Sequence, residues 1–336
     1  MARPCLYGRV RRVRKRSRHG RHRLLAATFA VGTVTGSVLL GGANPGAAGA
    51  SVIHRLAATT DVVTHGPDWQ GIRTVDYCVE GGQSLAMSLF APNATGHPVP
   101  VILQVHGGGW ERGSRLLDLS QSGTVAELVG AGFVVASIDY RLAPDNPWPD
   151  QIIDVKCAVR YLRSHAAYLG IEPDRIAALG SSAGGQLVSL LGTTAALPQW
   201  DVGPYSDVSS RVEAVVDEFG PSDLAANDWP PYTQGIIRQV FGAAPDTADP
   251  VLTTASPLTY VSAGDPPFLI VQGTADQVVP VSQSERLADR LRSVGVPADL
   301  VLVDGGRHGL GTPGEVPSAS TISLVITGFF ERELGH

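Results

Sequence analysis

Arg175-Ile176-Ala177-Ala178-Leu179-Gly180-Ser181-Ser182-Ala183-Gly184-Gly185-Gln186-Leu187-Val188 is the stretch on which the fold turns. Its first five residues carry a short apolar run that predicts a buried strand, and Gln186 to Leu191 predicts a helix. Between them lies a Gly-x-Ser-x-Gly turn. Small neighbours at Gly180 and Gly184 permit a strained bend that lifts the Ser182 hydroxyl above a sheet, where a nucleophile must stand. Upstream, His106-Gly107-Gly108-Gly109-Trp110 follows a second apolar run, Val99 to Val105, broken only by Pro100 and Gln104. Glycines after a strand free backbone N–H groups to point at a ligand. Either string alone is weak in a chain with 39 Gly among 336 residues. Both together, in this order and each behind a strand, predict a serine hydrolase.

A serine hydroxyl is a poor nucleophile at neutral pH and needs a base, which in turn needs a carboxylate to orient it. Of nine histidines, only His106 and His308 sit in loops after core strands. His106 belongs to the glycine string, where its side chain is expected to hold the loop, so His308 is the expected base. It follows the strand Leu300 to Val303 through Asp304-Gly305-Gly306-Arg307, read as a flexible loop. For the acid, Asp276 follows the apolar strand Phe268 to Val271; Asp223 and Asp304 compete with it. The order Ser182, Asp276, His308 is that of the hydrolase arrangement.

Outward from these strings the pattern alternates. Residues 73–80 and 85–90 read as a hairpin, and strands at 99–105, 133–138, 175–179, 212–218, 267–272 and 299–303 interleave with helices near 120–131, 150–168, 184–195, 282–294 and 320–332. That pattern predicts an α/β fold with a mostly parallel central sheet and helices on both faces. Ligands in such sheets bind beyond the strands' carboxyl ends, where both glycine strings fall. Residues 221–255 are too long for a simple connection and predict a small cap insertion, with Trp229, Tyr232 and Phe241 as candidate pocket walls or packing residues.

Residues 1–50 read as an export signal: ten Lys or Arg and no acid before an apolar segment from Leu24 to about Ala43, then Ala48-Gly49-Ala50 for cleavage. The protein is therefore expected to be secreted, by the general or the twin-arginine route, with an uncleaved membrane anchor as the alternative and no stable membrane partner. Residues 51–72 form an N-terminal extension, and 73–336 a single domain. Removing residues 1–50 takes 26 basic side chains to 16 against 31 acidic ones, a net charge of −15. An acidic mature chain whose basic run is confined to the signal excludes nucleic acid as a partner. Cys78 and Cys157 are expected to be buried free thiols. Zinc spacing and phosphate-loop motifs are missing, so neither metal nor cofactor is expected. Oligomeric state is left open.

At this level the chain resembles the α/β-hydrolase superfamily, specifically the hormone-sensitive-lipase-like carboxylesterases and their bacterial feruloyl and acetylxylan esterase relatives. Besides the glycine strings, the resemblance rests on Asp139-Tyr140-Arg141-Leu142-Ala143-Pro144, Asp154 to Leu162, Ser256-Pro257-Leu258, Pro266 to Ile270, Val279 to Gln283 and Gly306-Arg307-His308-Gly309. It covers nearly all of residues 70–332 and implies a triad of Ser182, Asp276 and His308. Gln272 stands where many relatives carry His, ahead of the acid, and is not expected to touch the chemistry. Trp110 looks more like the feruloyl-esterase and kynurenine-formamidase branches.

The expected mechanism is attack by Ser182 on an ester carbonyl, with His308 as base, Asp276 stabilising the imidazolium, and N–H groups of Gly108, Gly109 and Ala183 receiving the oxyanion. The expected substrate is a small-molecule ester with a short acyl chain or an esterified plant polysaccharide. Competing readings are a feruloyl or acetylxylan esterase, a lipase, an amidase or serine peptidase, and a non-catalytic binding module.

Overall fold

The computed structural model describes residues 71–92, 96–116, 119–195, 197–245 and 247–335. The expected export signal and nearly all of the N-terminal extension lie outside them. The described chain begins with the hairpin β1 (Ile72–Glu80) and β2 (Gln83–Phe90). Its turn is Gly81-Gly82, with φ of 56° and 83°, the left-handed geometry that lets a two-residue loop follow the strands' twist. Then come β3 (Val99–Val105), α1 (Leu119–Gly130), β4 (Val134–Ile138), α2 (Asp150–Ser164), α3 (Ala166–Leu169), β5 (Ile171–Ser181) and α4 (Ala183–Thr193). After β6 (Val215–Glu218), the cap carries α5 (Pro231–Phe241) and α6 (Pro250–Thr254). The chain closes with β7 (Phe268–Gly273), α7 (Val281–Ser293), β8 (Ala298–Val303) and α8 (Ala319–Leu334).

The eight strands form one sheet in the order β1-β2-β4-β3-β5-β6-β7-β8. The pairs β1/β2 and β2/β4 are antiparallel and every later pair is parallel. Both faces are covered, which is why β3 is buried along its whole length. Its alternate residues divide between two cores. Val101, Leu103 and Val105 join Val155 and Val159 of α2 and Leu187 and Leu190 of α4. Ile102 faces the other way, into Leu128 of α1 and Ile326 and Phe330 of α8. The helix expected at 150–168 is divided at His165, and the strand expected from 212 starts at Val215.

One expectation fails. Cys78 of β1 and Cys157 of α2 are joined in a disulfide, with Cα atoms 6.5 Å apart. Cys157 lies in a helix and Cys78 in an early strand, elements expected to keep the thiols apart, but α2 packs across β1 and brings the two residues together. The bond closes a loop of 79 residues, for which loop entropy gives about 4.5 kcal/mol of stabilisation. Replacing both cysteines with serine is expected to lower the urea unfolding free energy by about 2–5 kcal/mol; an unchanged midpoint with the bond intact in the parent would contradict it.

Candidate active site

Ser182 stands at the turn between β5 and α4 with φ 55° and ψ −119°, a left-handed, strained conformation for a residue with a side chain. Close backbone approach explains the glycines around it. A Cβ on Gly180 would lie 2.3 Å from the Gly184 carbonyl oxygen, and one on Gly184 would lie 2.1 Å from that of Val105. The turn is thereby pressed against the end of β3, where the His106–Trp110 loop begins. Beneath it, Asp217 accepts hydrogen bonds from the Ser189 hydroxyl (3.0 Å) and the Gly220 N–H (2.8 Å). Its Oδ1 occupies the space a Cβ would need on Gly185 or Gly220.

Burial pushes the Asp217 carboxyl up to about 7, with the two hydrogen bonds acting in the opposite sense. Its folded value lies above its unfolded one, so the stability it contributes is full below about pH 4 and is lost as pH rises through about 7. Asp217→Asn is therefore expected to flatten the decline in unfolding free energy across that window, as measured by urea titrations at pH 4, 5.5, 7 and 8.

The structure brings Ser182, His308 and Asp276 together. His308 Nε2 lies 2.9 Å from Ser182 Oγ, and His308 Nδ1 lies 2.8 Å from Asp276 Oδ2. Phe219 packs edge-on against the imidazole, with ring centroids 4.9 Å apart. Asp276 is fixed in turn by the Val278 and Val279 N–H groups, which donate to Oδ1 at 2.7 and 3.0 Å. Asp223 and Asp304, the competing acids, form neither a hydrogen bond nor an ion pair with His308, whose side-chain partners are Asp276 and Ser182; Asp304 instead bridges to Val316. The His308 loop, expected to be flexible, is pinned by that bridge and by Glu315, whose carboxylate accepts from the Gly311 and Thr312 N–H groups at 2.6 and 2.8 Å.

Gln272 corrects a second expectation. It is fully buried, and its Nε2 donates to Asp276 Oδ2 at 3.2 Å, the same oxygen that receives His308. Its amide orientation follows from its neighbours: Nε2 also faces the Gly273 and Val279 carbonyls, and Oε1 accepts from Ser284. The tight Gly273–Val279 turn after β7 folds the acid back over its own strand, a proximity that linear spacing does not reveal. Gln272→Leu is expected to lower kcat by about tenfold, the loss of roughly one buried hydrogen bond to a charged group. An unchanged kcat in a folded variant would remove Gln272 from the site.

The glycine loop is held as expected, though by more than His106. His106 Nδ1 pairs with the Gly107 carbonyl at 2.7 Å and its ring stacks on Tyr140 at 4.2 Å. Burial pulls its pKa down, which favours the neutral imidazole. Trp110 Nε1 donates to Gln186 Oε1 (2.9 Å), and Gln186 Nε2 donates to the Ala255 carbonyl (2.7 Å). Loop, nucleophile helix and cap are thus joined through one amide. Among the described residues the N–H groups of Gly108 and Gly109 have no acceptor, and Ala183 opens α4, where a backbone N–H has no partner within the helix.

These groups line a cavity of about 500 Å³ together with Phe219, Pro221, Tyr232, Ile236 and Val279. Of the three aromatic cap residues singled out in the sequence, Tyr232 alone reaches it. Trp229 and Phe241 are buried, Phe241 against Trp110. Ile236, one helical turn beyond Tyr232, was missed. Among the described residues no cluster of His, Cys, Asp or Glu is placed to hold a metal ion.

The BD-FAE family model matches residues 87–291 of the chain. The chain belongs to the BD-FAE family. This BD-FAE member has the α/β-hydrolase fold. A truncated carbohydrate esterase from gut microbiota superimposes with a TM-score of 0.69 at 28% identity, covering 82% of this chain and 100% of the other. The Thermogutta terrifontis esterase Est2 gives 0.64 at 26% identity, covering 80% and 93%. By sequence, the chain is 34% identical over 243 residues to esterase LipC of Mycobacterium tuberculosis, 68% of this chain and 58% of LipC. It spans about half the length of the first curated relatives it matches.

Proposed function

We propose that the protein is an exported carboxylic-ester hydrolase. The observation that carries this is the single file of Asp276, His308 and Ser182, at 2.8 and 2.9 Å, beneath an open cavity. In the first step Ser182 Oγ attacks the ester carbonyl while His308 Nε2 takes its proton, and Asp276 stabilises the resulting imidazolium. The N–H groups of Ala183, Gly108 and Gly109 receive the oxyanion. As the tetrahedral species collapses, His308 returns the proton to the departing alcohol. Water, activated by the same imidazole, then frees the acid from Ser182.

Apolar walls of Phe219, Pro221, Ile236 and Val279 around a cavity of about 500 Å³ suit the acyl part of an ester, for which we propose a short chain. The likeness to a carbohydrate esterase keeps a second reading in view, an acetyl or feruloyl ester on polysaccharide. Export is supported by the basic, then apolar, N-terminal segment and by the Cys78–Cys157 disulfide, a bond characteristic of oxidising compartments.

A series of 4-nitrophenyl esters of increasing chain length, with acetylated xylan, methyl ferulate and a peptide anilide alongside, tests the reading. Highest kcat/KM is expected at short acyl chains. An optimum at long chains would make it a lipase, and cleavage of the anilide in preference to esters would make it an amidase.

A further inference from the structure

The cavity above Ser182 is uneven in charge. Phe219, Pro221, Ile236, Val278 and Val279 give it an apolar wall, and among the described residues no Asp or Glu lines it. Asp276 is screened behind His308, with its side chain fully buried. Among the described residues Arg112 is the one lining residue with a permanent charge.

Two attachments place that charge. The Arg112 N–H donates to the Gly108 carbonyl at 3.2 Å, so its backbone is part of the glycine loop. Its guanidinium Nη2 donates to the Tyr232 hydroxyl, 3.4 Å away on the cap helix α5. Three residues on, Arg115 is neutralised by Asp139 at 2.8 Å. Arg112 has no carboxylate within ion-pair distance among the described residues. A guanidinium that spends one N–H on a neutral hydroxyl keeps further N–H groups for a planar anion, which it binds through two parallel hydrogen bonds. The setting makes this positive point distinctive, because the whole chain carries a net charge of −5.

We propose that Arg112, steadied by Tyr232, is an anion subsite that selects esters bearing a carboxylate elsewhere in the molecule. The inference rests on Ser182 being the nucleophile of an ester hydrolase. It deepens that reading by naming the substrate class: a half-ester of a dicarboxylic acid, with the charge in the acyl part, or an ester whose alcohol part is itself an acid. Both present the same carboxylate to Arg112.

Two matched pairs separate the sources. 4-Nitrophenyl hemisuccinate against 4-nitrophenyl pentanoate places the charge in the acyl part. 4-Acetoxybenzoate against 4-acetoxybenzamide places it in the alcohol part. The readout is the ratio of kcat/KM, charged over neutral, for the parent, Arg112→Gln, Arg112→Lys and Tyr232→Phe. In at least one pair, Arg112→Gln is expected to cut this ratio by about tenfold or more, chiefly through KM, with Arg112→Lys, which keeps the charge but not the two-pronged geometry, and Tyr232→Phe falling between. Added salt should compress the parent's ratio.

Binding of monomethyl glutarate to Ser182→Ala, followed by calorimetry with and without Arg112→Gln, tests the subsite without turnover. Weaker binding in the double variant supports the proposal even if no ester is hydrolysed, which would count against the hydrolase reading alone. Equal ratios in both pairs together with equal binding would overturn the subsite while leaving the hydrolase reading intact.

Discussion

Asp276→Asn is expected to lower kcat on 4-nitrophenyl acetate by about 10⁴ while leaving the protein folded. The size follows from the hydrogen bonds around the carboxylate. Oδ1 receives two backbone N–H groups, from Val278 and Val279, at 2.7 and 3.0 Å. In an asparagine, that position must hold the carbonyl oxygen, so the NH₂ group takes the place of Oδ2 and points at His308 Nδ1 and Gln272 Nε2. Nδ1 then has to accept rather than donate. The imidazole proton moves to Nε2, which can no longer take the proton of Ser182. A loss of less than tenfold would mean that Asp276 does not set the tautomer of His308.

Gly108→Ala is expected to lower kcat by 10² to 10³, the usual cost of about 3–4 kcal/mol for losing an oxyanion donor. Gly108 has φ of 117°, and an added Cβ would lie 2.0 Å from the carbonyl oxygen of Arg112. Backbone has to move, and the Gly108 N–H moves with it. Gly109 is the internal comparison. Its φ is 63°, and the nearest atom to a Cβ there is the Ile236 side chain at 3.3 Å, which can yield. The same change at Gly109 should therefore cost less turnover. Equal losses at the two positions, or a Gly108 variant with full activity, would contradict the assignment of the loop.

Much of this was legible in the sequence because the fold writes its local rules plainly. Residues buried on both faces of β3 appear as an apolar run broken only by Pro100 and Gln104, and the turn after β5 requires small residues where Gly184 meets Val105. His308 and Asp276 could be ranked by their place after strands alone. What escaped depends on tertiary approach. Cys78 and Cys157 are 79 residues apart and meet only because α2 crosses β1. Gln272 returns to Asp276 through the turn that follows it, and in the sequence nothing sets Asp217 apart from the neighbouring acids Glu213 and Glu218 until Gly185 and Gly220 are seen packed on it. Among the cap aromatics, hydropathy does not distinguish a wall from packing: Tyr232 lines the cavity, whereas Phe241 fills space behind Trp110.

The central claim is that Ser182 is a nucleophile activated by His308 across the 2.9 Å between them. Timed reaction with a fluorophosphonate, with the modified residue located by peptide mass spectrometry, addresses it most directly. The account predicts a single adduct on Ser182 that forms rapidly in the parent and at least about 10³-fold more slowly in His308→Ala. A folded parent that acquires no adduct at Ser182, or one whose labelling rate is indifferent to the loss of His308, would contradict it.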